Sequence, residues 1–147
     1  MNETIGLRLR AETEDDLQTL SAALQDSVFK IGEATYDAKA RRFTALVNRF
    51  RWEAAGRKGP YQRVRAALSF DSVIAVKSTH VQRGAKEAVA ALLDVGFDAE
   101  KEPPAGVLHL VLAGGGEIKL DVECIDALLI DIGPTWPTER KPFHGAR

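Results

Sequence analysis

Arg42-Phe43-Thr44-Ala45-Leu46-Val47-Asn48-Arg49-Phe50-Arg51-Trp52-Glu53 is the stretch on which the fold turns. Its apolar residues recur with period two, which marks a strand, but the phase slips: Phe43, Ala45 and Val47 are odd, whereas Leu46, Phe50 and Trp52 are even. A one-residue slip sends side chains to the other face, so a bulge or a passage between two sheets is expected here. Gly56-Arg57-Lys58-Gly59-Pro60 follows as a loop, and Tyr61 to Ser69 reads as the returning strand of a hairpin. The simplest register pairs residues whose numbers add to a constant that sets Leu46 opposite Leu68 and Phe50 opposite Val64. It also sets Arg49 opposite Arg65 and Arg51 opposite Arg63, so that four guanidiniums share one face.

Outward from the hairpin, Val28 to Tyr36 is an expected strand before it and Ser72 to Ser78 one after it. Towards the N-terminus, Leu7-Arg8-Leu9-Arg10 alternates as a short strand. Thr13 then has the chemistry of an N-cap, with Glu14, Asp15 and Asp16 in the first turn, where carboxylates suit the helix dipole. Leu17, Leu20 and Leu24 continue at helical spacing and predict an amphipathic helix over 14–25.

Towards the C-terminus, residues 84–93 read both ways. A short helical turn followed by a strand from Leu92 to Ala99 is the expectation. Val107 to Leu112 and Glu117 to Val122 flank Gly114-Gly115-Gly116, a hairpin signal. Ile125, Leu128, Leu129 and Ile132 then fall at i, i+3, i+4 and i+7, which predicts a helix stopped by Gly133-Pro134.

This order describes an α+β fold: a mostly antiparallel β-barrel or sandwich of about seven strands with a C-terminal helix, pleckstrin-homology-like, preceded by a βα extension. Fold analogy of this kind carries no function with it. Residues 1–134 are expected to form one globular domain and residues 135–147 an extended, Pro-containing tail. At 147 residues the chain has the size of one domain, and 45% apolar with 28% charged residues is ordinary globular composition. No apolar run approaches the length of a membrane span and no apolar leader follows Met1, so a cytoplasmic protein is expected. The single Cys124 agrees with a reducing compartment.

The net charge of −1 hides an asymmetry. Residues 39–65 hold nine bases against Glu53 alone, and residues 94–131 hold nine acids against Lys101 and Lys119. Arg49, Arg51, Arg63 and Arg65 are therefore the candidate anion- or partner-binding residues, since arginine's planar fork suits carboxylates and phosphates. Like charges set opposite each other are unfavourable and call for an offset. It can come from acids of this chain, from a small anion or from an acidic protein partner. Nucleic acid is disfavoured by the near-neutral total and by the scarcity of aromatics among the bases.

Other motifs dissolve under the same scrutiny. Gly114-Gly115-Gly116 is followed by Glu117-Ile118-Lys119-Leu120, not by the Lys-Ser/Thr and helix of a phosphate loop, so a turn is expected and no cofactor. His80, His109 and His144 lack the short spacing of metal ligands, and no catalytic residue stands out. Trp136 and Phe143 are out of place in a polar, Pro-rich end and are the candidates for an interface, including a homo-oligomeric one.

Arg41-Arg42-Phe43, Asn48-Arg49-Phe50-Arg51-Trp52-Glu53, Leu68-Ser69-Phe70-Asp71, and Leu112-Ala113-Gly114-Gly115-Gly116 running through Asp121-Val122-Glu123-Cys124-Ile125 together carry a resemblance. Along nearly its whole length the chain resembles an uncharacterised, domain-of-unknown-function family of small alphaproteobacterial proteins. The resemblance implies no activity, cofactor or catalytic residue. Three functions stay open at this point. The leading expectation is a non-enzymatic binding or adaptor domain using the arginine face. A small-molecule enzyme and a structural homodimer are the alternatives.

Overall fold

The structure is a computed structural model that describes residues 6–54, 61–139 and 142. Its strands are β1 (Arg8–Ala11), β2 (Ser27–Lys30), β3 (Ala34–Asp37), β4 (Arg42–Phe50), β5 (Tyr61–Phe70), β6 (Val73–Thr79), β7 (Val89–Ala99), β8 (Gly106–Leu112), β9 (Glu117–Val122) and β10 (Ala127–Thr138). The one α-helix among the described residues, α1 (Glu14–Leu24), lies between β1 and β2. It is not long and apolar enough to cross a membrane. All ten strands belong to one antiparallel sheet in the order β1-β10-β5-β4-β2-β7-β8-β9-β6, with β3 also paired to β4.

This overturns the expected seven-stranded barrel or sandwich with a C-terminal helix and its pleckstrin-homology-like order. The decisive segment is 125–132. Its helical spacing of Ile125, Leu128, Leu129 and Ile132 is coincidental, because the chain from Ala127 onward is β10, lodged between β1 and β5. Ala127 and Leu129 face inward and are buried, while Leu128 and Ile130 face the other way and are half-covered. A strand with both faces partly covered loses its period-two signature, and then a short apolar run does not distinguish strand from helix. Gly133-Pro134, read as a helix stop, lies where the β10–β5 register shifts between Asp131 and Thr135, after which Thr135 to Thr138 pair with Tyr61 to Val64.

Elsewhere the elements follow local chemistry. Thr13 caps α1, its hydroxyl accepting from Asp16 N at 3.1 Å, while the Asp16 carboxylate accepts from the Thr13 and Glu12 amides. Those amides, Glu12 foremost, hold Asp16 below the usual carboxylate range. Leu17, Leu20 and Leu24 are buried against the sheet, each contributing about 1.5–3 kcal/mol relative to exposure. Ser21 ties the helix to β7, donating to Asp94 Oδ1 and accepting from Val95 N, both at 2.9 Å. The segment expected as one strand from Val28 to Tyr36 is two, β2 and β3, parted by a tight turn at Ile31–Glu33. Residues 84–88 form turns and β7 starts at Val89, a few residues before its expected beginning.

Ten strands do not close the sheet. β6 pairs only with β9 and β3 only with β4, which leaves a seam between them. One end of the seam is drawn together: Tyr36 Oη donates to Val73 O at 2.7 Å, and Val73 N donates to Arg41 O at 2.9 Å.

Candidate functional site

In the central hairpin, β4 and β5 pair one residue away from the expected register. Ala45 is opposite Leu68, Leu46 opposite Ala67, Asn48 opposite Arg65, Arg49 opposite Val64 and Phe50 opposite Arg63. The core selected this register. Phe43, Ala45 and Val47 of β4 meet Val64, Ala66, Leu68 and Phe70 of β5 on the buried face. The Leu46–Leu68 match on which the other register rests would have cost that face. Phe50 is buried apart from the main cluster, edge-on to Trp52 with ring centroids 4.6 Å apart and 5.9 Å from Tyr61.

The shift divides the arginines between two faces. Arg49 lies on the core side and is 0% exposed. Its Nε and Nη2 donate to the two oxygens of Asp131 at 2.8 Å each. Nη1 and Nη2 donate to Glu53 at 3.0 and 2.7 Å, and Nη1 also donates to Phe50 O at 3.4 Å. These five bonds match the five N–H donors of a guanidinium. Asp131 Oδ2 accepts a further bond from Leu7 N at 2.8 Å, so one buried cluster joins β4, β10 and the segment entering β1. Burial alone would lower the Arg49 pKa, but the hydrogen bonds it donates to Asp131 and Glu53 outweigh it and hold it above the ordinary arginine value. The Arg49 hydrogen bond likewise keeps Glu53 below the usual carboxylate range.

The other three also have acceptors within the chain. Arg51 bonds Gln62 and lies 3.5 Å from Glu53. Arg63 donates to the Asn48 and Asp26 carbonyls at 3.0 and 3.2 Å and stacks 5.8 Å over the Phe50 ring. Burial lowers its pKa. Arg65 pairs with Glu33 and donates to Asn48 Oδ1. Trp136 stands on β10 opposite Arg63 and is 37% exposed, and Phe143 lies outside the described residues.

His109 occupies the outward side of β8, its ring nitrogens 2.8 Å from Asp98 and 2.5 Å from Glu117. The carboxylates that an acid–base site would use are there, yet the ring is on the sheet's outer face and does not line the cavity described next.

Sequence reasoning missed a second basic region. The seam between β3 and β6 contains a cavity of about 420 Å³. Its walls are Phe29, Ile31, Ala34, Tyr36, Phe43, Val76, Val81 and Ile118, and Arg83 and Lys86 stand at its rim. No acid is among its described lining residues. Arg83 and Lys86 are exposed, and among the described residues neither side chain makes an ion pair or hydrogen bond. Their loop is nevertheless tethered: Ile31 N donates to Ala88 O and Gly32 N to Lys86 O, both at 2.9 Å. Glycine is required at 32 by close approach, because a Cβ there would lie 2.8 Å from Lys86 Cβ and 3.1 Å from Lys86 O. The only local signal in the sequence was Val81 to Lys86 itself, two bases spaced across Gly84-Ala85, which resembles any solvated loop.

The described residues and their site thus define an antiparallel domain with one α-helix and an incompletely closed sheet. The chain belongs to the family described as "Protein of unknown function (DUF2948)", which it matches over residues 7–144. No curated protein and no solved structure matches it.

Proposed function

We propose that this domain is a non-enzymatic binding module that takes an anionic ligand, and that the ligand enters the seam between β3 and β6 rather than docking on the arginine hairpin. One observation carries the reading: a cavity of about 420 Å³ lined by both apolar and polar groups, with two bases at its rim and no acid among its described lining residues. That volume lies within the usual range for small-molecule sites, about 300–1,000 Å³. The hairpin arginines are poorer candidates because each would have to leave an acceptor in its own chain before meeting another. The unpaired Cys124 accords with the cytoplasmic setting expected from the sequence.

Anilinonaphthalene sulfonate, an apolar dye with one negative charge, tests the reading by fluorescence titration. Saturable binding at one site per chain is expected, and Val76→Trp, which fills the cavity, should abolish it with far-ultraviolet dichroism and the urea midpoint retained. An absent signal, or one that survives Val76→Trp, counts against the seam.

A second reading, contact between two copies through β10, is favoured by one observation: Trp136 is 37% and Ile132 53% exposed on that strand. Light scattering of the native chain and of Ile132→Asp distinguishes it. A dimer mass that falls to monomer in the variant supports the contact, and a monomer mass in both removes it.

A further inference from the structure

We infer that the seam's ligand is a single-headed amphipathic monoanion, an alkyl carboxylate whose head meets Arg83 and Lys86 and whose chain lies against Phe29, Ile31, Val76 and Ile118. This rests on the seam being the binding site and adds the chemistry of what it holds. Two bases at one rim and none elsewhere in the lining fix the ligand's polarity: charge at the loop, hydrocarbon inside. The absence of any lining acid disfavours an ammonium group, and therefore free amino acids and peptide N-termini, because nothing there would offset a buried cation. Besides those bases the side-chain donors are Thr35, Ser78 and Tyr36, and Tyr36 already donates to Val73 O. A nucleotide or polyphosphate would leave most of its oxygens without partners, which such a site penalises. A peptide strand completing the sheet between β3 and β6 would have to break the Tyr36–Val73 and Val73–Arg41 bonds that close one end of the seam. An alkyl carboxylate needs none of these changes. It presents two oxygens to two cations on a loop whose backbone is tethered at Lys86 and Ala88, so that ordering on binding is confined to the two side chains.

The test is calorimetric titration of the full chain with octanoate, octanol and octyltrimethylammonium, below micelle-forming concentrations, at low and high salt. Octanoate should bind at least about tenfold more tightly than octanol (about 1.4 kcal/mol). The cation should bind more weakly than either, and added salt should narrow the gap between octanoate and octanol. In the double variant Arg83→Ala/Lys86→Ala, octanoate should fall to the level of octanol while octanol itself is unchanged. Equal binding of octanoate and octanol to the native chain would overturn the carboxylate assignment and leave the seam as an apolar site. If no octyl compound binds, the seam reading falls with it. Octanoate binding that persists in the double variant would place the head elsewhere and also overturn the inference.

Discussion

The hairpin of β4 and β5 and the loop between β6 and β7 both carry positive charge, and they stand in opposite conditions. Arg49 is enclosed, and all five of its donors are matched by Asp131, Glu53 and Phe50 O. Arg83 and Lys86 are exposed, beside a cavity and without a side-chain partner among the described residues. Density of charge in a sequence therefore does not by itself mark a cation that is open to a ligand. What separates a structural arginine from one available to a ligand is whether the fold has already supplied its acceptors.

The sharpest way to break this comparison is Arg49→Ala. Removing one partner of a buried ion pair strands the other, so a loss of about 3–5 kcal/mol is expected in urea unfolding. A loss below about 1 kcal/mol would show that the cluster is not structural. The pH dependence sharpens the same point. Glu53 has a depressed pKa in the folded chain, so its contribution is present above the ordinary carboxylate pKa and is lost as pH falls through the folded value. Glu53→Gln should flatten the acid side of the stability profile, and an unaltered profile would contradict the assignment.

A smaller effect is expected where the second region is braced. Gly32→Ala places a methyl group 3.1 Å from Lys86 O, an overpacking that costs about 1–3 kcal/mol unless the loop moves. If the loop does move, amphiphile binding should fall more than stability does, and calorimetry alongside urea melts separates the two. Smaller still is Arg65→Ala. Its partly exposed pair with Glu33 is of the kind worth about 0.2–1 kcal/mol, and a larger loss would make Arg65 a structural residue like Arg49. Arg83→Ala/Lys86→Ala should change stability least, within about 0.5 kcal/mol, because no side-chain hydrogen bond or ion pair among the described residues is removed.

How much of this was legible in the sequence depends on whether the signal was local. The Thr13 cap, the leucine stripe of α1, and the hairpin at Gly114-Gly115-Gly116 were legible because short-range chemistry sets them. Gly114 and Gly115 do adopt positive φ, 84° and 92°. β10 was not legible, because its outward positions Leu128, Ile130 and Ile132 are as apolar as its inward ones and erase the alternation in the sequence. The hairpin register failed by one residue because two apolar matches competed, and only the rest of the sheet decides between Leu46–Leu68 and Ala45–Leu68. That single step carried Arg49 from a shared face with Arg65 to the core side. Asp131 sat in a segment read as helix, so its role as the counter-charge of Arg49 had no local trace beyond the general acidity of residues 94–131. The seam is a property of two strands, β3 and β6, that do not pair, and no sequence pattern announces a missing pair.

The most direct test of the contrast is the urea midpoint of the native chain and of Arg83→Ala/Lys86→Ala, each with and without octanoate. Binding to the folded state alone raises a midpoint in proportion to the logarithm of ligand over Kd. Without octanoate the two midpoints should agree to within what about 0.5 kcal/mol produces; octanoate should raise that of the native chain, and that of the double variant by no more than octanol does. A double variant that unfolds earlier than that margin on its own, or an octanoate shift of the same size in both, would contradict the account.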